Sequence, residues 1–354
     1  MLLLLAAVHA YANSKIHPLR FEPPAGVEAP PAEWIDPLAL TPEMRGWLAR
    51  NVPATGTEDQ RMRRLIAALS HDLPLRYDPH TGTAAEVFST GRYNCLGLTH
   101  LVVALARELG VDAYYVRIEE FRSYSRTGAS VLSSTHVAAG WGTVANVHVI
   151  ELETVSEEER KAADRIADAA AVALHYNNRA AELLLLGQPE LATRWLDAAR
   201  AVDPTLPELW VNTGVAARRV GDLGRAEHAF REAIRIAPTN LAAYRNLASL
   251  LDARGDPDAA HQLLVLAARP SNDNPFTWVA LGDATIAIGE PEHAGRFYRR
   301  ASMIDPGNAA VLAARAELAL LRGGPDKALR LAERALRADP TDARALEVRR
   351  RSGG

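Results

Sequence analysis

The sequence is poor in cysteine, because Cys95 is the only one in 354 residues. A single thiol excludes a framework of intrachain disulfides, and its role depends on its neighbours, since a lone cysteine is more often a small buried side chain than a nucleophile. Neither sign of charge dominates, since 40 Lys and Arg stand against 43 Asp and Glu. A nucleic-acid partner requires a basic face, so no nucleic-acid binding is expected.

Long apolar runs and cofactor motifs are missing as well. Met1–Val8 is apolar but far too short to span a bilayer. It is similar to the core of a secretory signal ending at Val8-His9-Ala10, although no basic residue precedes it. We therefore expect residues 1–12 to be either a signal segment of a periplasmic or secreted protein or an apolar tail of a cytoplasmic one. The sequence has no HExxH, CxxC, P-loop or dinucleotide motif, so no metal or cofactor site is expected.

What the second half of the chain does contain is a repeat of 34 residues. Glycine recurs at this period at Gly187, Gly221, Gly255, Gly289 and Gly323. Alanines follow each glycine by 5 and by 12 residues, and a proline follows by 17 in every repeat except the one with Asn272. A fixed period of this length is typical of a stacked array, in which each repeat packs only on its neighbours.

Each repeat is predicted to be a pair of helices. The five repeats are 173–206, 207–240, 241–274, 275–308 and 309–342. The fourth residue is large and the eighth is small, as in Tyr244 and Ala248, so that two helices can approach closely beside a filled space. The glycine ends the first helix and the proline stops the second. After the array, residues 343–354 form a basic tail in which Arg349-Arg350-Arg351 suits a solvated helix end.

This large, small, Gly, Ala, Ala, Pro pattern resembles the tetratricopeptide repeat over about 170 residues. The resemblance implies an all-α superhelix whose concave groove holds a peptide or a partner protein. A spacer or a dimer surface is the alternative use of such an array.

The first half of the chain contains the cysteine at the predicted start of a helix. Thr57–Leu73 is predicted as a first helix from its apolar spacing. In Arg92–Gly110, Cys95 begins an apolar stripe, and Gly91 and Gly110 bracket the helix. The positive end of the helix dipole favours a thiolate at this position. His100 lies about 140° around the helix from the cysteine and is expected at the surface or in a neighbouring part of the core.

Three strand-like runs follow, which are Val111–Glu119, Ser134–Trp141 and Ala145–Leu152. A hairpin centred near Thr143 would place His136 and Glu151 opposite each other on one face, with Cβ atoms about 5 Å apart. Glu151 shares its face with two valines, so we expect it to point inward, where it requires a partner.

A cysteine on a helix start, a histidine on a strand and a carboxylate on the next strand resemble the transglutaminase-like superfamily over roughly residues 55–155. The matching segments are GRYNCLGLTHLVVALARELGVDAYYVRI around Cys95, STHVAAGW around His136 and VHVIEL around Glu151. The resemblance implies a papain-like domain in which Cys95 is the nucleophile, His136 the general base and Glu151 the orienting group. The superfamily normally has aspartate at the third position. The implied chemistry is attack on an amide or ester, an acyl-enzyme, and transfer to water or an amine, with an oxyanion hole at the helix start.

The expected architecture is therefore an α+β papain/transglutaminase-like domain followed by an all-α tetratricopeptide-repeat superhelix. Residues 13–54 are assigned to a proline-rich extended lead-in, and residues 156–172 to a linker helix that begins at the capping box Ser156–Glu159. The leading hypothesis is a cysteine hydrolase or acyltransferase whose repeats bind a protein or peptide. The alternatives are a non-catalytic adaptor, favoured by glutamate at position 151, and a repeat scaffold capped by the first domain.

Overall fold

The computed structural model describes residues 3–6, 35–127, 130–143, 146–150, 163–267 and 275–353. These residues belong to two compact units. The first unit comprises Met1–Ser125 and Ser133–Val220, and the second comprises Arg126–Leu132 and Gly221–Gly354. Among the helices of these ranges, none combines the length and the apolar character needed to cross a bilayer.

The helices of the first unit share one core around α4. In chain order they are α1 (Pro42–Asn51), α2 (Glu58–Asp72), α3 (Ala84–Thr90), α4 (Cys95–Glu108), α5 (Asp168–Leu185), α6 (Pro189–Val202) and α7 (Pro207–Arg219). The predicted helices after Thr57 and at Cys95 are both confirmed. The first four helices begin at a side-chain cap supplied by Thr41, Thr57, Thr83 and Asn94, which satisfies a backbone N–H of the first turn. All residues of α4 from Leu96 to Ala106 are buried.

Helix α1 corrects the last part of the predicted extended lead-in, residues 13–54, of which the structure describes residues 35–54. Proline is favourable at the first helical position, and Pro42 follows the Thr41 cap directly, so this proline starts a helix instead of preventing one. The helix buries Met44 and Leu48, and the Trp47 indole donates to the Asp72 carboxylate at 2.9 Å. The tryptophan and its partner anchor α1 on α2 as part of the core.

A five-stranded sheet has the strand order β1–β6–β5–β4–β7, and all of its described residues except 126, 127 and 130–132 belong to the first unit. In chain order its strands are β1 (Leu3–Ala6), β4 (Ala113–Thr127), β5 (Ser130–Thr143), β6 (Asn146–Ile150) and β7 (Ala163–Ile166), while β2 (Arg76–Tyr77) and β3 (Arg92–Tyr93) form a separate parallel pair. Within this sheet, β1 with β6, β5 with β6 and β4 with β7 are antiparallel. The side chains of Val137, Ala139 and Trp141 join the core that contains α4.

Strand β7 corrects the predicted linker helix. Residues 163–166 extend along β4, with Ile166 opposite Tyr115, and helix α5 begins only at Asp168. The Arg165 guanidinium lies over the Tyr114 ring at 4.0 Å. Strand β7 at the sheet edge therefore pairs its backbone with β4 and also stacks an arginine on a β4 side chain. The predicted start of that helix, Ser156–Glu159, lies outside the described residues.

The second unit contains the remaining helices of the repeats. They are α8 (Leu223–Ile236), α9 (Leu241–Ala253), α10 (Pro257–Ala267), α11 (Pro275–Ala287), α12 (Pro291–Ile304), α13 (Ala309–Leu321), α14 (Pro325–Ala338) and α15 (Ala343–Arg351). The helix-pair prediction is confirmed, because helices α7, α9, α11 and α13 begin at the predicted 207, 241, 275 and 309, whereas α5 of the first repeat begins at 168 and not at 173. All five repeat glycines have φ between 73° and 85°, a left-handed conformation that ends the first helix. Arg349–Arg351 forms the last turn of α15, as predicted, but residues 343–351 are a helix that buries Ala345 and Val348 and not a tail.

The two helices of a repeat pack through a complementary pair of residues. In the third repeat Ala248 and Leu264 share one buried cluster, and in the fifth Ala316 and Ala332 do so. In the fourth repeat the eighth residue is Gly282, and the ring of Tyr298 lies directly over it. The largest partner therefore stands opposite the smallest residue.

Candidate functional site

Cys95 is the first residue of α4 and is partly exposed. A tight turn delivers the chain to this helix start. Gly91 ends α3 with φ 69°, and a Cβ at this residue would lie 2.7 Å from the Pro74 carbonyl oxygen, so only glycine fits. The Asn94 side chain then accepts from the Gly97 N–H at 2.9 Å, which caps the helix one residue before the cysteine.

The cap residue Asn94 is itself held in place by the loop that precedes α3. Asn94 Nδ2 donates to Thr81 Oγ1 at 2.6 Å, and both side chains are buried. The Thr81 N–H donates to Glu182 on α5 at 2.7 Å, and Glu182 also lies 3.1 Å from His80. The loop beside the cysteine is thus fixed between α4 and the first helix of the repeats. Sequence reasoning missed this contact because its partners are about 100 residues apart.

Thr99 connects the cysteine helix to the strand that carries His136. Its Oγ1 lies 2.7 Å from the Cys95 carbonyl oxygen and 3.1 Å from the Val137 carbonyl oxygen. Since His136 directly precedes Val137, the start of α4 and the histidine-bearing part of β5 are held next to each other by one buried hydroxyl. His136 is partly exposed, as Cys95 is. The sequence places Thr99 one turn after the cysteine, which indicates the contact with the Cys95 carbonyl oxygen, whereas the contact with Val137 depends on how α4 and β5 pack.

Glu151, the predicted third member, lies outside the described residues. The predicted hairpin is present, but its register differs by two residues. The prediction pairs His136 with Glu151 and therefore Val137 with Ile150, whereas the structure pairs Ala139 with Ile150 and Thr143 with Asn146. The connection has no Asn-Gly or Gly-X signal, so the sequence did not define the turn to the residue.

Two buried histidines lie next to each other, His100 on the cysteine helix itself and His175 on α5. His100 is fully buried, not at the surface, and its Nδ1 lies 2.7 Å from the Tyr115 hydroxyl. The ring of His175 on α5 is 5.3 Å from it. Burial lowers the pKa of His100 well below its usual range, and His175 adds to that effect. Burial, assisted by the nearby charges of Arg179 and His80, lowers the pKa of His175 to about 3. Both rings are therefore neutral at pH 7.

The repeats of the second unit carry a row of polar side chains on their first helices. Ser249, Asp283 and Glu317 occupy the ninth position of successive repeats. Arg344 of α15 lies 2.8 Å from Asp283 and 2.6 Å from Glu317, and about a third of each of these three charged side chains is exposed. The Tyr298 hydroxyl donates to Asp283 at 2.5 Å, and burial raises its pKa well above the ordinary value, so it stays protonated.

Comparison with known families decides the nature of this region. Residues 197–338 match the model of the tetratricopeptide repeat family. The C-terminal region is a tetratricopeptide-repeat array. Tetratricopeptide repeats bind protein or peptide partners, in agreement with the partner expected from the sequence. The family match begins at residue 197, so the resemblance of residues 55–155 to the transglutaminase-like superfamily stays a prediction.

Several solved structures are similar to about half of the chain, and TTC0263 and YrrB among them are described as tetratricopeptide-repeat proteins. TTC0263 from Thermus thermophilus is 21% identical, with 51% of this chain and 96% of that chain covered and a TM-score of 0.39. YrrB, described as having an unusual peptide-binding site, is 20% identical over 50% and 92% of the two chains, with a TM-score of 0.33. PilF from Pseudomonas aeruginosa is 18% identical over 52% and 83%, with a TM-score of 0.38. Among proteins with curated descriptions, none matched the sequence.

Proposed function

We propose that this protein is a binding module whose tetratricopeptide repeats hold a protein or peptide on the face formed by their first helices. The observation that carries the proposal is the regular array of helix pairs, which repeats every 34 residues and matches a family of binding repeats. A stacked array presents the same position of each repeat along one extended surface.

The ninth-position row gives this surface a specific chemistry. Asp283 and Glu317 supply two carboxylates against the single guanidinium of Arg344, and all three are partly exposed. Their ion pairs hold the carboxylates in fixed places, so little side-chain entropy is lost when a ligand binds. An extended peptide with a basic side chain fits this excess of negative charge.

Peptide display on the full chain tests the proposal. We expect selected peptides to be enriched in Lys or Arg and to bind at least tenfold more weakly to the Glu317→Lys variant, because like charge is then placed on the surface. The matched control is Glu333→Lys on α14, a second helix, which should leave the affinity within twofold. If no peptide is selected, or if both variants behave alike, the array serves as a spacer and not as a binding surface.

We propose as a second candidate function that residues 55–155 are a transglutaminase-like cysteine hydrolase or acyltransferase. The observation that favours it is the junction made by Thr99, since its hydroxyl contacts both the Cys95 and the Val137 carbonyls. In this proposal the Cys95 sulfur attacks an amide or ester carbonyl while His136 accepts the thiol proton. The amine or alcohol leaves with that proton to give a thioester, which water or an amine then cleaves to release the thiol. Glu151 would orient the imidazole. The Gly97 N–H is committed to the Asn94 side chain, so the oxyanion would be held by the preceding amides.

Covalent labelling separates the enzyme from the adaptor. Iodoacetamide at pH 6 should modify the folded protein at Cys95, as read by intact mass, and His136→Gln should slow this reaction at least tenfold. His71→Gln, which changes a strongly exposed histidine, is the control. Labelling only after denaturation would assign a structural thiol. The domain is non-catalytic if labelling is fast but no acyl-enzyme forms with a panel of activated amides and esters, and if Glu151→Gln does not change the labelling rate.

A further inference from the structure

Three metal-ligating side chains meet where the third repeat adjoins the fourth. His261 lies on α10, Glu290 is the residue before α12, and His293 is in the first turn of α12. Glu290 Oε2 lies 2.9 Å from Nδ1 of each histidine, and the two rings are 4.3 Å apart and 39° from parallel. One ligand atom from each residue lies within 4.8 Å of the other two. All three side chains are partly buried.

The cluster replaces a different link that the neighbouring repeats use. In the second and third repeats Arg254 pairs with Glu227, and in the fourth and fifth Arg322 donates to the Pro291 carbonyl at 3.0 Å. Position 288, midway on the same 34-residue grid, holds isoleucine, which can make no ion pair. The polar link between the third and fourth repeats is therefore the histidine cluster.

The repeat fold itself does not require these residues. The equivalent positions one repeat earlier are Glu227, Asp256 and Ala259, and one repeat later they are Gly295, Gly324 and Lys327. Both sets support the same helix pairs without a histidine. Of the three boundaries compared, only this one has two histidines and a carboxylate at these positions. The packing of the repeats therefore does not explain why these residues are present.

Hydrogen bonds account for only one of the two histidine contacts, since His293 Nδ1 is hydrogen-bonded to Glu290 Oε2 at 2.9 Å. The His261 Nδ1 is buried and has no hydrogen-bond partner of acceptable geometry among the described residues, although it lies 2.9 Å from a carboxylate oxygen. Adjacent ligands of a metal with bonds of about 2.1 Å are about 3.0 to 3.4 Å apart, for octahedral and tetrahedral sites respectively. We propose that His261, Glu290 and His293 bind one divalent transition-metal ion, of which Zn²⁺ is the best fit.

Neutral imidazole and carboxylate are the donor set that Zn²⁺, Co²⁺ and Ni²⁺ accept, and waters would complete the coordination. Coordination uses the Nδ1 lone pairs, with each ring proton on Nε2. The bound ion would join α10 to α12 and so stabilise one interface of the array, where stability depends on contacts between neighbours. Sequence reasoning missed the site because its ligands come from two repeats and match no contiguous motif.

Metal binding by the full chain, without a histidine tag and in a Cys95→Ser background, tests the proposal. Isothermal titration with Zn²⁺ should show one equivalent that binds at least tenfold more weakly in each of His261→Gln and His293→Gln. His228→Gln on α8 is the matched control and should not change the titration. Co²⁺ should give a visible absorption band that both cluster variants lose, and Zn²⁺ should raise the thermal unfolding temperature only when the cluster is intact.

Circular dichroism checks that each variant is folded. If a histidine variant does not fold, Glu290→Gln, which preserves the shape of the side chain, is used in its place. Weakened binding in the cluster variants alone supports the site. If the parent protein binds no Zn²⁺, or binds it as tightly after both histidines are changed, the cluster is only a hydrogen-bonded contact and the proposal is overturned.

Discussion

The fourth repeat offers a sharp test of how the array is packed. A Gly282→Ala substitution would place a Cβ atom 2.3 to 2.8 Å from three atoms of the Tyr298 ring, well inside van der Waals contact. Tyr298 is 1% exposed and is enclosed by Val279, Ala294 and Val311, so the ring has little room to move. Alanine at this position is compatible with the repeat fold, since the third and fifth repeats already have it.

Two opposing effects set the expected magnitude. Alanine stabilises a helix interior by about 1 kcal/mol relative to glycine. Overpacking a filled core destabilises by about 1 to 3 kcal/mol. A displaced Tyr298 would also weaken its bonds to Asp283 and Arg344, at about 1 kcal/mol each. The clash and the lost bonds exceed the gain in helix propensity, and we expect a net loss of about 2 kcal/mol in the free energy of unfolding.

The assay is urea and thermal unfolding of the full chain, followed by circular dichroism. A loss of about 2 kcal/mol corresponds to roughly 4 to 8 °C in Tm for a folding unit of this size. Tyr298→Leu provides the decisive background, because the third repeat pairs its Ala248 with Leu264 in the same place. In that background Gly282→Ala should no longer destabilise, which gives a coupling energy of about 2 kcal/mol. Tyr298→Phe keeps the ring and should not rescue. Equal effects of Gly282→Ala in all three backgrounds would refute the packing argument.

Three further predictions concern the first unit. The pKa of His175 in the folded state is about 3 and lies below its unfolded value, so the free energy of unfolding should fall by up to about 1.4 kcal/mol per pH unit as the pH drops from about 6.5 towards 3. In urea titrations, His175→Asn should reduce this dependence of stability on pH. Asp168→Ala should lower the free energy of unfolding by about 3 to 5 kcal/mol, since it leaves the Arg107 guanidinium buried without its bidentate partner, and Arg107→Met with Asp168→Leu should be much less harmful. Asn94→Ala should remove about 1 kcal/mol by loss of the helix cap and slow the labelling of Cys95, and a rate equal to the wild type would contradict the proposed role of the cap.

The repeat helices were predictable because local signals and packing agree there. Glycine supplies the left-handed turn and the proline or its substitute stops the next helix, so both ends of each helix are encoded within a few residues. The helix at Cys95 was predictable for the same reason, since Gly91 and Gly110 bracket it. Helix α1 was not, because its short length gives a weak periodic signal and the prolines before it suggested an extended chain.

The candidate site was only partly predictable, because its fixing contacts are distant in sequence. The order of Cys95 and His136 along the chain led to the prediction that their side chains converge, but the contact through Thr99 depends on how α4 crosses β5. The register of β5 and β6 depends on the turn, and a two-residue slip keeps the faces while it changes every opposite pair. The sequence around Asn94 indicates only a helix cap. Its hydrogen bond to Thr81 could not be predicted, because it depends on the conformation of the folded loop.

The links between the repeats of the second unit differ at one boundary. The third repeat has Asn272 where the others have proline, and position 288 in the fourth repeat has isoleucine where positions 254 and 322, in the repeats on either side, have arginine. In a stacked array each interface contributes to stability almost independently, so changes at one boundary leave the others intact. The boundary between the third and fourth repeats is therefore where this chain could acquire a metal link without losing the array. It follows that changes at His261 and His293 should alter the stability of this boundary and leave the first unit unaffected.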